Sequence, residues 1–340
     1  MSFRVAPPSS CGLILSYQCS ARCRHCLNAS SPAWPEWATP QELDRVLEAL
    51  ARHGDYLNSL YISGGEPMLR PDLVAHVIGK AKALDMPIDY VETNAFWCWD
   101  EDSATEGFEK LHAAGLRKVL ISISPFHAEY VPLLNAEIAM DAAQSVFGTQ
   151  GVLLNTAEAF QELVAMNVDD TIELERYLEA KGREEAALTI AGDYGLVPNG
   201  RAALALADLF ERQPAENFFG EACDRELASP HHVRVDGWGN VSSQNCAGIC
   251  LGNLLDETSP IGKTDWADRP VVRRLISGGV EALLAWAESA YDYQRDIMGY
   301  TSKCHLCLDI RRHLASQDPQ LTELAPKPFY DELEHQSDID

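Results

Sequence analysis

Three cysteines within eight residues, Cys19-Ser-Ala-Arg-Cys23-Arg-His-Cys26, constrain this chain more than any other feature. A C-x3-C-x2-C triplet cannot complete a four-cysteine site, and on an iron–sulfur cluster it leaves one iron without a protein ligand. Zinc is the alternative, although structural zinc sites usually pair one C-x2-C with a second and are closed. His25 lies between two candidate ligands, where reaching the same metal is awkward. The redox context favours metal-bound thiols over disulfides. The ten cysteines come without a basic segment and apolar core at the start, so no signal peptide and a reducing, cytoplasmic compartment are expected.

Composition closes off other classes. Forty-six per cent hydrophobic and 23% charged residues are ordinary for a globular protein. With 27 Lys+Arg against 51 Asp+Glu the net charge is −24, which repels phosphate backbones, so no nucleic-acid partner is expected. No apolar run approaches the roughly 18 residues of a membrane span, so no membrane partner is expected. Part of the charge is local: Asp331, Glu332, Glu334, Asp338 and Asp340 read as a solvated acidic tail.

Periodicity gives an α/β class. Strands are expected at Gly12–Tyr17, Ser59–Ser63, Pro87–Glu92, Lys118–Ser124, Gly151–Asn155 and Leu188–Val197. Helices are expected between them, at Asp72–Leu84, Ser103–Ala114, Ala136–Val146 and Thr171–Ala180. Thr39-Pro40-Gln41-Glu42 is a capping box that opens another. Alternating strands and helices make a parallel sheet. Several strand ends are polar: Asn94, Ser122, Ser124 with His127 close by, and Asn155. Such residues either face a ligand or cap the next helix.

The triplet follows one apolar strand, and Tyr61-Ile-Ser-Gly64-Gly65-Glu66-Pro67 ends the next with a glycine pair. In this order, with His25 before the last cysteine, the two motifs resemble those of the radical S-adenosylmethionine (radical SAM) superfamily. The resemblance implies a partial (β/α)6 TIM-type barrel over residues 1–205, with its site at the carboxyl ends of the strands. It implies a [4Fe–4S] cluster on Cys19, Cys23 and Cys26, whose open iron chelates SAM. Gly64, Gly65 and Glu66 would then bind the SAM amine, and Asn94, Ser122 and Ser124 its ribose or carboxylate. His25 would lie beside the cofactor, and Val197–Ala202 would lie on the adenine side. An electron donor of flavodoxin or ferredoxin type is implied as partner.

A second cysteine set, Cys223, Cys246, Cys250, Cys304 and Cys307, surrounds a tight hairpin at Val233–Val241. A hairpin with cysteines and a distal C-x2-C resembles the SPASM or twitch extension of radical SAM enzymes, here residues 206–312, before an acidic tail at 313–340. The resemblance implies one auxiliary [4Fe–4S] cluster; a zinc knuckle is the alternative. Cys223, Cys304 and Cys307 are three ligands, and Cys246 and Cys250 compete for the fourth place. The one left over is a candidate hydrogen-atom donor, with Cys250 slightly favoured. Cys11 and Cys98 read as buried thiols.

The layout is closest to radical SAM peptide-modifying enzymes, epimerases among them. A ribosomal peptide is therefore the expected substrate, with no leader-binding domain expected ahead of the barrel. A radical dehydrogenase or epimerase acting on a sugar or aminocyclitol is the second reading. A non-catalytic iron–sulfur or zinc protein is the third.

Overall fold

The computed structural model describes residues 2–3, 8–52, 56–168, 170–228, 231–256, 264–265 and 269–334. The main sheet contains β1 (Ser10–Ile14), β2 (Ser59–Ser63), β3 (Ile88–Thr93), β4 (Val119–Ser122), β5 (Val152–Asn155), β6 (His232–Asp236), β7 (Asn240–Ser243) and β8 (Gly252–Asn253). Their order is β5-β4-β3-β2-β1-β6-β7-β8. The six strands from β5 to β6 are mutually parallel, and β7 and β8 are added antiparallel. The fold is α/β, a partial TIM-type barrel.

Five of the expected strands appear where periodicity placed them; the sixth does not. Leu188–Val197 begins inside a helix, Arg183–Ala191, and forms no strand. Gly182 starts that helix, Glu184 and Glu185 favour its positive end, and Ala186, Ala187, Thr189 and Ile190 are buried at helical spacing. The apolar run was read with the wrong period. The sixth parallel strand is β6, the first arm of the expected hairpin, and it lies against β1 at the opposite side of the sheet from β5. The hairpin therefore continues the barrel sheet.

The expected helices are present as Pro71–Ala83, Glu101–Ala114, Leu133–Phe147 and Leu174–Lys181. Pro71–Ala83 packs its apolar face on the parallel strands around Leu13, Leu60, Ile62, Val77 and Val91, with Leu111 of Glu101–Ala114 beside it. Leu133–Phe147 and Leu174–Lys181 pack around Ile121 and Phe126. A second core gathers Cys19, Cys23, Cys98, Phe108, Ile121 and Phe126 beneath the cysteine triplet. Cys11 and Cys98 are fully buried. Among the described residues no helix is long and apolar enough to cross a membrane.

The acidic end departs from its reading. Lys327–Glu334 is a helix that buries Phe329, Tyr330 and Leu333, and Glu332 is buried beside Arg22 and Arg201. An acidic count missed that its aromatic and aliphatic residues share one face. Asp338 and Asp340 lie outside the described residues.

The helix Pro40–Ala51 begins with the complete capping box: Thr39 Oγ1 accepts from Glu42 N at 3.3 Å, and Glu42 Oε2 accepts from Thr39 N at 2.8 Å. Thr39→Ala removes one of these reciprocal bonds and should lower unfolding stability by about 1 kcal/mol, read as a urea midpoint shift at constant slope. An unchanged midpoint would mean that water caps this helix equally well.

Candidate active site

The cysteine triplet sits in a loop between β1 and the helix at Pro40, and two contacts give that loop its shape. Gly65 N donates to Ser16 O at 2.8 Å and Glu66 N to Gln18 O at 2.9 Å. A Cβ on Gly65 would lie 1.9 Å from Gln18 O, and one on Gly64 (φ +147°) 2.6 Å from Ser16 O. The glycine pair is thus required by the approach of its backbone to the strand that enters the triplet. From the other side Arg201, 1% exposed, donates to Cys23 O (2.9 Å), Ala29 O (2.7 Å) and Ser30 O (2.9 Å). Its backbone N meets Cys26 O at 3.0 Å.

A cavity of about 300 Å³ opens beside the loop, at the carboxyl ends of the parallel strands. Cys19, Cys23, Cys26, His25, Gly64, Gly65, Glu66, Asn94, Ser122 and Ser124 all line it. The structure thus brings these residues together on one cavity, whereas of the expected segment Val197–Ala202 only Val197 lines it. Asn155, His127 and Val197 join them, and so do Glu92, Tyr194 and Arg234, which sequence reasoning had not singled out. Arg201, also missed, lies behind the wall. An arginine following Asn-Gly carries no local signal that it will be buried.

Glu66 is the best-satisfied group in the wall. Its Oε1 accepts from Met68 N (2.9 Å) and Thr93 Oγ1 (2.9 Å), and Oε2 from Asn94 N (2.7 Å). Burial nevertheless outweighs these donors and pushes its pKa up to about 7. Asn94 donates to Ser20 Oγ at 3.0 Å and points its amide at Cys19 Sγ, 3.9 Å away. Cys26 Sγ accepts from Ser30 N at 3.3 Å.

Ser124 caps a short helix and bonds His127 Nδ1 at 2.8 Å, so both readings of that strand end hold together. His25 stacks on Phe126 with centroids 4.7 Å apart and leaves its buried Nδ1 without a partner. Desolvation holds His25 well below the usual histidine range and brings His127 down to about 4.

The donor set suits an iron–sulfur cluster. Three thiols edge one cavity, and N–H groups already point at two of the sulfurs, as second-shell donors do at such sites. Burial raises Cys19 to about 12, and the charges of Glu66 and then Cys26 add to it; a bound metal would remove that proton outright. Among the described residues no three His, Cys, Asp or Glu side chains gather closely enough to hold a single metal ion. A four-iron cluster is larger and takes ligands set further apart.

The second set divides. Cys223, Cys246, Cys304 and Cys307 gather in one place, every pair close enough for one thiol to raise the other's pKa. Cys304 and Cys307 are on the first turns of the helix Lys303–Gln317, capped by Ser302, one helical turn apart on the same face. Arg311, one turn further on and fully buried, stands beside Cys246 and Cys307. It donates to Ala247 O (2.9 Å) and Asn199 Oδ1 (3.2 Å).

Cys250 stands apart. Its Sγ donates to Gly252 O at 3.2 Å, and it edges a separate small cavity with Tyr17 and Phe329. Neither Cys246 nor Cys250 lines the main cavity, so the structure does not place either as a hydrogen donor to a molecule bound there. Gly248 turns the chain, but it swings Cys250 toward β8 and away from the triplet.

Residues 13–144 match the radical SAM superfamily. The chain is 32% identical over 120 residues to the GTP 3',8-cyclase of Cyanothece sp. (strain PCC 7425 / ATCC 29141), a match that covers 31% of this chain and 31% of that one. The chain therefore spans under a third of the length of that curated relative. Among solved structures it is similar to BtrN in complex with AdoMet and 2-DOIA, with TM-score 0.44 and 13% identity over 81% of this chain and 89% of that one. SuiB of Streptococcus suis bound to S-adenosylmethionine gives TM-score 0.41 and 14% identity over 74% and 64%.

The Glu66 carboxyl carries a pH dependence. The folded chain holds this proton more tightly than the unfolded chain, whose pKa is near 4.5. Its stabilising contribution is therefore full below about pH 4.5 and is lost as pH rises through about 7. This one contribution to the stability of the metal-free protein should fall between pH 5 and pH 8, while the depressed His25 and His127 act in the opposite sense. The slope of stability against pH in Glu66→Gln should be more positive than in the native protein by close to one proton, measured by urea unfolding across the range. Equal slopes would place the titration elsewhere.

Proposed function

We propose that this chain is a radical SAM enzyme that abstracts hydrogen from a substrate held in the cavity beside Cys19, Cys23 and Cys26. The observation that carries the reading is the convergence of these three thiols with Gly64–Glu66 and Asn94 on one cavity. A [4Fe–4S] cluster on the three thiolates, with SAM on its open iron, supplies one-electron cleavage of SAM to methionine and a 5'-deoxyadenosyl radical.

The chain's own residues then hold and shield. Glu66 Oε2 accepts from one protein donor only, which leaves it free to accept from the SAM ammonium. Asn94, Ser122 and Asn155 offer polar atoms at three successive strand ends, and Leu196 and Val197 offer an apolar wall for the adenine side. Phe126 and the neutral imidazoles of His25 and His127 keep water from the thiols.

Cys223, Cys246, Cys304 and Cys307 suit a second, auxiliary cluster of twitch type within residues 206–312, and a flavodoxin or ferredoxin supplies electrons. A zinc knuckle on these four cysteines is the competing assignment.

For the substrate we favour a ribosomal peptide. The segments that follow β3 and β4 expose Trp99 (68%), Tyr130 (42%) and, in the helix Leu133–Phe147, Leu134 (55%). Asn135 of that helix joins the two segments by donating to Phe96 O at 3.1 Å. Exposed apolar groups on the segments that leave these strand ends suit the side chains of a peptide. A sugar or aminocyclitol is the second reading, favoured by the acidic side chains of Glu66 and Glu92 in the wall. Because neither Cys246 nor Cys250 faces the cavity, oxidation with loss of two hydrogens fits better than thiol-dependent epimerisation.

Anaerobically reconstituted protein should hold about eight irons, as two four-iron clusters require. The Cys19/Cys23/Cys26→Ala triple variant should keep about four and form no 5'-deoxyadenosine. Cys304→Ala with Cys307→Ala should also lose about four but still cleave SAM. Cys250→Ala should keep all of its iron. Zinc retained in place of the second four irons would assign the extension as a zinc knuckle, and no 5'-deoxyadenosine from the loaded native protein would end the radical reading. A product of unchanged mass carrying one solvent deuterium would restore epimerisation.

A further inference from the structure

The residue that the cavity leaves least explained is Arg234. It is the middle residue of β6, outside the matched residues 13–144. Val233 and Val235 turn into the apolar core at 0% exposure, so strand alternation sends Arg234 to the other face, where it lines the cavity. No other arginine and no lysine lines that cavity.

Its donors are not used up by the protein. Nη1 reaches Asn28 Oδ1 at 3.3 Å, a long bond, and the guanidinium lies beside the Tyr61 hydroxyl. Nε is buried without a partner. The neighbouring carboxylate makes no ion pair with it among the described residues: Glu92 is bonded by Ser63 Oγ, and Arg234 acts on it only through space, lowering its pKa against the larger effect of burial. Every other charged or titratable neighbour is also accounted for. Tyr61 bonds His232 Nε2 at 2.8 Å and stacks on Tyr90, and burial together with Arg234 itself keeps His232 at about 4. Burial raises Glu92 as well, so Arg234 carries the positive charge in this part of the cavity. A single guanidinium without an ion pair among the described residues, set among polar strand ends in a chain of net charge −24, is a local reversal of sign. Burying such a fork is unfavourable unless planar acceptor oxygens meet it.

We propose that Arg234 is the anion-recognising residue of this cavity, and that it holds a carboxylate or phosphate group of the bound molecule. The inference rests on the reading of the cavity as the site of SAM and substrate, and it adds a chemical class: the ligand beside Arg234 is anionic. Two molecules can bring that group. One is SAM, through its own carboxylate; the other is the substrate, for a peptide an acidic side chain or the carboxyl terminus. An uncharged sugar or a purely cationic aminocyclitol supplies no such group.

The test uses the reconstituted holoprotein, with Arg234→Gln and Arg234→Lys made alongside. Iron content and thermal unfolding first establish that each variant is loaded and folded; if Arg234→Gln is not, Arg234→Lys carries the comparison, because it keeps the charge and loses the fork. SAM affinity is measured by calorimetry, and acetate and inorganic phosphate are titrated into the SAM-bound protein. If the substrate brings the anion, native protein binds acetate or phosphate, Arg234→Gln weakens this by about tenfold or more, and SAM affinity moves less than about twofold. If SAM brings it, SAM affinity itself falls by about tenfold in Arg234→Gln, and the added anions bind in neither protein. Either pattern supports the assignment and names the source. Unchanged SAM affinity together with no Arg234-dependent binding of either anion overturns it. Failure of the native holoprotein to bind SAM at all would instead remove the reading beneath it, a result visible before any variant is compared.

Discussion

A guanidinium buried against backbone carbonyls holds this site in shape. The segment from Cys19 to Ser30 has no helix or strand of its own, so its carbonyls need partners from elsewhere. Arg201 supplies them to Cys23, Ala29 and Ser30, and Glu332, 3.8 Å away, offsets its charge. A buried cation is tolerated only when such acceptors surround it; removing it would leave Ser30 O without this partner, and Cys23 O and Ala29 O with only Cys26 N and Trp34 Nε1. The thiols therefore owe their positions to residues that lie nearly two hundred positions further along the chain. The Gly64–Gly65 backbone clamps the other side through Ser16 and Gln18. Between these two supports the triplet loop has little freedom, as a preorganised cofactor site requires.

What was legible in the sequence was local. Five strands, the capping box at Thr39 and the hairpin at Val233–Val241 each carry their signal within a few residues, and each formed. The triplet and the glycine pair were legible for the same reason, because their spacing is the chemistry. Leu188–Val197 misled because a short apolar run does not declare its period, and the glutamates that start its helix lie just upstream. Assigning the fourth ligand of the second cysteine set was beyond sequence altogether. Cys246 and Cys250 are four residues apart, and only the path of the chain around Gly248 sends one to the cluster of thiols and the other to Gly252. Arg201, Arg311 and Arg234 were missed because arginines are normally solvated, and nothing near them in sequence marks them as buried.

The electrostatics of the interior run against those of the surface. Outside, unpaired carboxylates dominate. Inside, burial pushes Glu66, Glu92, Asp236 and Glu323 upward, and the donors that surround them work in the opposite sense. Asp236 shows the pattern most fully: it accepts from Trp238 N, Asn240 N, Asn240 Nδ2 and the Tyr17 hydroxyl, and so joins the end of β6 to the strand entry of the triplet. These carboxyl groups act as acceptors in fixed networks, and of the four only Glu66 and Glu92 line the cavity. A cationic group arriving beside Glu66 would favour the ionised form and lower its pKa toward the usual range.

The sheet order then has a chemical meaning. A boundary near residue 206 is expected from the sequence, but β6 pairs with β1 over five residues, Ser10↔His232 to Ile14↔Asp236, so one sheet joins the two stretches without a break. One wall of the cavity, from β2 to β5, belongs to the segment that carries the triplet and the glycine pair. The opposite wall is β6, which arrives from the cysteine-rich segment and carries Arg234. The groups that would generate the radical and the group that would read the substrate thus sit on strands either side of β1 but come from separate stretches of sequence. A change confined to β6 alters which ligand charge is accepted without disturbing a single contact of Gly65, Glu66 or Arg201 with the triplet loop. That separation lets one set of geometric demands around the thiols coexist with different substrates.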